Sequence, residues 1–82
     1  MSHTPHQLPE EFPEFAKTLQ ALKQVDAHFA KLVDQYDEAN QKIHLAETNV
    51  TPMDDIGIIE LRKERMALKD DIAARLKSAA EA

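Results

Sequence analysis

The sequence predicts an all-α fold, an antiparallel two-helix hairpin of coiled-coil type with an N-terminal helical extension. Two observations lead to this fold class. Apolar residues recur at intervals of seven along the first half of the chain, and the sharpest interruption of the pattern falls at Thr51 and Pro52. A short connection between two long amphipathic helices favours antiparallel neighbours. The main heptad series consists of Leu8, Phe15, Leu22, Phe29, Tyr36, Ile43 and Val50, and the complementary positions hold Val25, Leu32, Ala39 and Ala46.

The N-terminal part divides into an arm and a long helix. Residues 1–12 predict an extended arm, because each proline removes an amide donor and restricts the residue before it. Pro13 suits the first position of a helix, which we expect to cover about residues 13–49 within a single domain of residues 13–82. Asp26 could cap a new helix, so a continuous helix and a kink near residue 26 are equally compatible with the sequence.

The second helix is predicted over about residues 52–78. Thr51 is a good N-cap, Pro52 fits the first helical position, and Asp54 is placed to reach back toward the cap. Gly57 weakens the helix by about 1 kcal/mol relative to alanine. Its apolar stripe then comprises Ile58, Leu61, Leu68, Ile72 and Leu76.

Apolar surface remains after the hairpin is closed. The second helix ends about level with Val25, so the apolar residues that precede Val25 in the chain have no partner within the hairpin. The second helix also has a further series of apolar residues at intervals of seven, beside its main stripe. We therefore expect a homo-oligomer, with a dimer favoured. The alternative is that the N-terminal segment folds back and closes a three-helix monomer. The predicted self-association residues are Phe12, Phe15, Leu19, Leu22, Ile59 and Met66.

Composition limits the function. The formal charge of −5 argues against general nucleic-acid affinity, no segment is long and apolar enough for a membrane span, and no leader is recognisable, so we expect a cytoplasmic protein. With no Cys, one Gly and serines only near the ends, no catalytic constellation can be assembled. We expect a non-enzymatic interaction protein without a cofactor, whose protein partner the sequence does not identify.

The densest basic feature is the patch Arg62, Lys63, Arg65 and Lys69. One interpretation is structural, with Arg65 and Lys69 facing the acidic side chains Asp34, Asp37 and Glu38 within the hairpin or across a dimer. The other is a docking patch for an acidic partner or a nucleic-acid backbone, which is the alternative function. Arg65 interrupts the apolar stripe, so it needs a carboxylate or carbonyl partner.

The four histidines do not predict a metal centre. His3 and His6 on a flexible arm form at most a weak, adventitious site. His28 and His44 are separated by roughly 160° around a helix, so they cannot share a ligand, and we expect both to face solvent.

The sequence resembles the YdcH family of small bacterial proteins over essentially residues 12–76. This resemblance implies a bacterial cytoplasmic helical hairpin and implies no activity. Two departures concern Ala27, where some members have proline, and Tyr36, where some have histidine, so a histidine-based role at position 36 is excluded. The residues that carry the resemblance are Phe12-Pro13-Glu14-Phe15, Leu22-Lys23, Phe29, Leu32, Asp34, Ile43, Glu47 and Leu61-Arg62-Lys63-Glu64-Arg65-Met66-Ala67-Leu68-Lys69-Asp70-Asp71-Ile72.

Overall fold

The protein is a helical hairpin against which its own N-terminal segment packs. A computed structural model describes residues 4–49 and 53–81. Within these ranges the elements are α1 (Leu8–Glu11), a 3-10 turn (Pro13–Phe15), α2 (Ala16–Val25), α3 (Ala27–Glu47) and α4 (Asp55–Glu81). The two longest helices, α3 and α4, pack against each other, and α2 packs against both. The all-α hairpin with a helical extension is confirmed.

The first long helix is broken at Asp26. The backbone of this residue is extended, with φ −125° and ψ 101°, and its carboxylate accepts a hydrogen bond from the Phe29 amide at 3.0 Å. This is the geometry of an N-cap, which satisfies one of the unpaired amides at the start of α3. Of the two alternatives that the sequence allows, the break near residue 26 is therefore the correct one.

Polar residues also lie at the end of α3 and at the start of α4, on either side of the connection between these helices. Asn49 follows the end of α3 with φ 61°, the left-handed conformation that commonly terminates a helix. Helix α4 begins at Asp55 and not at residue 52, because Asp54 acts as its cap and accepts from the Gly57 amide at 3.3 Å. The expected capping role of Thr51 and Pro52 lies outside the described residues. Helix α4 also continues to Glu81, three residues beyond the predicted end.

The core of the hairpin follows the heptad pattern. Phe29 of α3 and Ile72 and Leu76 of α4 are fully buried in one cluster, as antiparallel pairing of the two helices predicts. Toward the connection, Ala39, Ile43 and Ala46 continue the buried face of α3. The 27 residues of α4 span about 40 Å at 1.5 Å per residue, which matches the 42 Å long axis of the molecule.

The N-terminal segment departs from the predicted extended arm. Residues Leu8–Glu11 form a helical turn, since Pro9 occupies an early helical position where its missing amide donor is not needed. Leu8 is only 1% exposed and belongs to the same core cluster as Phe29. Burial of this leucine stabilises a turn that composition alone does not favour.

The residues expected to extend past the hairpin pack against it instead. Leu19 is 2% exposed within the core cluster, and Phe12, Phe15 and Leu22 are partly buried against it. The statement that these four side chains lack an intramolecular partner is therefore wrong. The physical reason is the break at Asp26, which allows α2 to turn back and contact both α3 and α4. The chain thus adopts the fold-back arrangement that the sequence offers as the alternative.

Candidate functional site

A cleft of about 450 Å³ lies between the N-terminal segment, the middle of α3 and the middle of α4. It brings several charged side chains together. The segment before α1 and α1 itself supply one wall, Tyr36 supplies the base, and α4 supplies the opposite wall. The lining residues are His6, Glu11, Tyr36, Arg62, Arg65, Met66, Lys69 and Asp70.

Two polar side chains of α3 hold the N-terminal wall in place. The buried Tyr36 hydroxyl donates to the His6 carbonyl at 2.6 Å, and the Asn40 amide nitrogen donates to the Pro5 carbonyl at 2.8 Å. Tyr36 and Asn40 are four residues apart, so they lie on the same face of the helix. His6 adopts φ 62°, a left-handed conformation that is uncommon outside glycine and bends the chain at this contact. Burial, reinforced by the nearby Glu11 charge, raises the pKa of Tyr36 to about 12.

Glu11 is the centre of an ionic cluster inside the cleft. Its Oε1 atom lies 3.1 Å from the Lys69 ammonium and 3.1 Å from Nδ1 of His6. The hydrogen bond from Lys69 is the main cause of a lowered pKa for Glu11; burial opposes it, and His6 adds to the lowering. The Lys69 nitrogen also lies 5.8 Å from the centre of the Phe12 ring, in the range of a cation–π contact. These contacts fix α1 against α4.

Arg65 has a different kind of partner. Its guanidinium donates to the Asn40 side-chain oxygen at 3.0 Å, which agrees with the expected need for a carboxylate or carbonyl acceptor. Since the Asn40 nitrogen is engaged by Pro5, the orientation of the amide is determined by both contacts. Arg65 is half-buried, and its acceptor is neutral.

Most of α3 and α4 matches a protein-family model. Residues 29–76, more than half of the chain, match the model described as Protein of unknown function (DUF465). The chain belongs to the DUF465 family. Comparison with curated proteins and with solved structures found no match. The segment matched to DUF465 contains α3 from Phe29 onward and most of α4, so it includes the α3 and α4 sides of the cleft, whereas the N-terminal wall precedes it.

The basic patch of this DUF465 protein is only partly gathered at the cleft. Arg62, Arg65 and Lys69 line it, whereas Lys63 is exposed on another side of α4, roughly 160° around the helix from Arg65. The interpretation that pairs Arg65 and Lys69 with Asp34, Asp37 and Glu38 is wrong within the hairpin, and across a dimer it stays a prediction. Lys69 pairs with Glu11 and Arg65 with Asn40, because the fold-back of the N-terminal segment places Glu11 over α4. The weaker pair of Arg62 with Glu47, at 3.7 Å, joins α4 to the end of α3.

The predicted self-association residues fall into two groups in this DUF465 structure. The four aromatic and leucine residues of the N-terminal segment contribute to the intramolecular core, as described above. Ile59 and Met66 remain 48% and 66% exposed, together with Ile56 at 71%. Only the α4 part of the predicted set therefore forms an accessible apolar surface in the single chain.

The histidines that the structure describes, His6, His28 and His44, belong to no cluster that holds a metal. Within residues 4–49 and 53–81, no three metal-ligating side chains of the His, Cys, Asp or Glu types gather at a common point. The proposed partner of His6, His3, lies outside those ranges. His28 is exposed as expected, and His44 is half-buried. Among the same residues, no helix has the combination of length and apolarity that a membrane crossing requires.

Sequence reasoning missed the interactions of Tyr36 and Asn40 with the N-terminal backbone, and the role of Glu11. A signal for the first was present: Asn40 lies four residues after Tyr36 of the main heptad series, and this spacing puts an amide on the same face of α3. No local signal predicts that Glu11 meets Lys69, because the two are 58 positions apart.

Proposed function

We propose that this DUF465 protein is a non-enzymatic helical interaction protein that forms a homodimer through the outer face of α4. The observation that carries the proposal is the exposure of Ile56, Ile59 and Met66 on a helix whose opposite side is already packed. Ile59 lies roughly 140° around the helix axis from the fully buried Ile72. Large apolar side chains that recur on one exposed helix face are typical of an interaction surface.

The exposed residues belong to a regular seam. Positions separated alternately by three and four residues along α4 reproduce the spacing at which two helices pack in a coiled coil. We call these positions the outer seam of α4. The pattern supports a helix as the partner and a second copy of the same chain as its simplest source. The outer seam comprises Ile56, Ile59, Lys63, Met66, Asp70, Ala73, Lys77 and Ala80.

Charge complementarity supports an antiparallel dimer. Lys63 and Asp70 are both exposed, and neither has a hydrogen-bond or ion-pair partner within the described residues. In a parallel, in-register pair, each would face its own equivalent and repel it. In an antiparallel pair centred between Met66 and Ala67, each Lys63 is level with Asp70 of the other copy. Two equivalent ion pairs then flank an apolar centre, as a two-fold symmetric interface requires.

The family relationship supports the same setting. We infer that the YdcH-like residues and the DUF465 match describe one relationship, since the segment from Leu61 to Ile72 lies within the matched range. On that basis we propose a bacterial cytoplasmic setting and a physiological role in binding another protein or in assembly of its own copies. The nucleic-acid alternative has less support, because Arg62 and Lys69 are paired with glutamates and Lys63 lies apart from them.

Size-exclusion chromatography with light scattering tests the dimer. At about 100 µM the expected mass is twice the 9.3 kDa of the chain. Ile59→Lys is expected to shift the mass toward the monomer, whereas Val25→Lys, a matched change at an apolar residue 82% exposed outside the outer seam, leaves it unchanged. A monomeric wild-type protein at this concentration contradicts the proposal.

A charge exchange tests the orientation. Lys63→Glu places two acidic side chains against each other in the antiparallel dimer and should weaken it, and Lys63→Glu combined with Asp70→Lys should restore it. In a parallel dimer the single substitution replaces one like-charge pair by another. An unchanged dissociation constant for Lys63→Glu would therefore rule out the antiparallel arrangement.

A further inference from the structure

We propose that the cleft between the N-terminal segment, α3 and α4 binds a small anion through carboxylate or phosphate oxygens, with Arg65 as the principal ligand. This proposal stands independently of the dimer. The outer seam and the lining of the cleft share only Met66 and Asp70, whereas Ile59 belongs to the seam alone.

The first argument is the uncompensated charge of Arg65. Its guanidinium is half-buried and donates to a neutral amide oxygen, although a desolvated cation ordinarily requires an acidic partner. The remaining segments, 1–3, 50–52 and 82, contain no aspartate or glutamate that could supply one. The carboxylates that form ion pairs in the described ranges are engaged by other cations: Glu11, Glu38, Glu47 and Asp71.

The second argument is the local sign of the charge. Three cationic side chains line the cleft, Arg62, Arg65 and Lys69, against two acidic ones, Glu11 and Asp70. The lining residues therefore carry a formal charge of +1, with Arg62 also paired to Glu47 outside the lining, while the whole chain has a formal charge of −5. A positive concavity with low-dielectric walls raises the local concentration of anions.

The third argument is geometric. A guanidinium presents several N–H donors in one plane and matches two oxygens of a carboxylate or phosphate. Arg65 uses one of its terminal nitrogens on Asn40, and that contact holds the group in a fixed orientation within the cleft. The volume of about 450 Å³ lies within the range of small-molecule sites.

These features favour a small anion over a nucleic-acid backbone. A nucleic-acid strand is bound by cations distributed along an extended surface, whereas here the fourth basic residue, Lys63, lies outside the cleft. The site is also enclosed on one side by the N-terminal segment through Tyr36 and Asn40.

Heteronuclear NMR titration tests the proposal at constant ionic strength, maintained with chloride. Sodium phosphate and sodium succinate are the two probes, and the tighter of them identifies which oxygen chemistry the cleft prefers. The expected result is saturable shifts of α4 amides near Arg65 and of the Asn40 side-chain NH₂ group. Arg65→Gln should weaken binding at least tenfold. Arg75→Gln, which removes the same charge from the same helix outside both the cleft and the outer seam, should leave it unchanged.

The outcomes are separable. Non-saturable shifts, or an equal loss of affinity in Arg65→Gln and Arg75→Gln, would overturn the proposal, since both indicate diffuse electrostatic attraction. If Arg65→Gln and Lys63→Gln weaken the binding of a single-stranded DNA oligonucleotide equally, and the small probes cause no response, the basic residues are assigned to nucleic acid instead. Circular dichroism verifies that Arg65→Gln is folded, and Arg62→Gln provides a second variant within the cleft. Retention of binding by Ile59→Lys shows that the site does not depend on the dimer.

Discussion

Truncation of Leu8 measures how strongly the N-terminal segment is bound to the hairpin. The side chain is 1% exposed and packs in the cluster that contains Phe29, Ile72 and Leu76. Leu→Ala at such a site costs about 2–5 kcal/mol through lost burial and the cavity that remains. We expect the lower part of this range, about 2–3 kcal/mol, because the single helical turn that carries Leu8 can adjust. With a urea m-value of about 1 kcal/mol/M, the midpoint falls by about 2–3 M.

The assay is urea denaturation followed by circular dichroism at low protein concentration. Val25→Ala is the matched control, since this side chain is 82% exposed and its truncation should change the free energy of unfolding by no more than about 0.5 kcal/mol. Leu8→Met, which conserves volume, should cost less than about 1.5 kcal/mol and keeps the comparison possible when Leu8→Ala is largely unfolded. A Leu8→Ala midpoint equal to that of Val25→Ala would refute the fold-back of the segment.

Three further predictions concern charge and helix ends. The lowered pKa of Glu11, due mainly to Lys69, stabilises the fold above the ordinary value of 4.5, and this contribution is lost as the pH falls below it. In Glu11→Gln, the midpoint of urea denaturation should therefore depend less steeply on pH in this acid range. A pH dependence equal to that of the wild-type protein would contradict the prediction. Asp26→Ala should cost about 1 kcal/mol in the free energy of unfolding through loss of the α3 cap, and an unchanged midpoint of urea denaturation would contradict this. In Gly57→Ala, the new Cβ lies 2.7 Å from Asp54 Oδ1 and displaces this capping side chain. The gain of about 1 kcal/mol in helix propensity should be offset by the loss of the cap, so the free energy of unfolding should stay nearly the same. A thermal-melt shift equivalent to more than about 0.5 kcal/mol in either direction would contradict this expectation.

The hairpin itself was predictable from periodicity. Because the heptad series runs from Phe29 through Tyr36 and Ile43 without a proline or glycine, one face of α3 is apolar along its length. A single reversal then pairs Phe29 with the region of Ile72 and Leu76, which the structure confirms. Short-range patterns are sufficient here because the buried stripes and the position of the turn together determine the register.

The path of the N-terminal segment was not predictable with the same rules. Its prolines indicate an irregular arm, yet Pro9 is compatible with the first turn of a helix, and burial of Leu8 decides the outcome. The contacts that hold the segment join residues 30 and 35 positions apart in sequence, Tyr36 with His6 and Asn40 with Pro5. Such pairs depend on tertiary arrangement, and one sequence contains no direct record of it.

The candidate cleft was half predictable. Clustering of Arg62, Arg65 and Lys69 on one helix follows from their spacing, since positions three, four and seven apart share a side. The sequence also indicates that Arg65 needs an acceptor. It does not determine which acceptors are supplied, because the answer depends on whether α2 folds back or extends. The break at Asp26 allows α2 to fold back, and this fold-back places Glu11 in contact with Lys69.

Lys69 and Arg65 have different partners, and this difference explains why Arg65 is the better candidate for ligand binding. Lys69 is already neutralised by a carboxylate from the N-terminal segment, so an incoming anion must compete with Glu11 for it. Arg65 is held by the Asn40 amide, which orients the guanidinium and leaves its charge uncompensated. An anion at Arg65 therefore gains a full charge interaction without breaking an existing ion pair. By this argument the ionic contact at Lys69 stabilises the fold, and the neutral contact at Arg65 leaves a site for recognition.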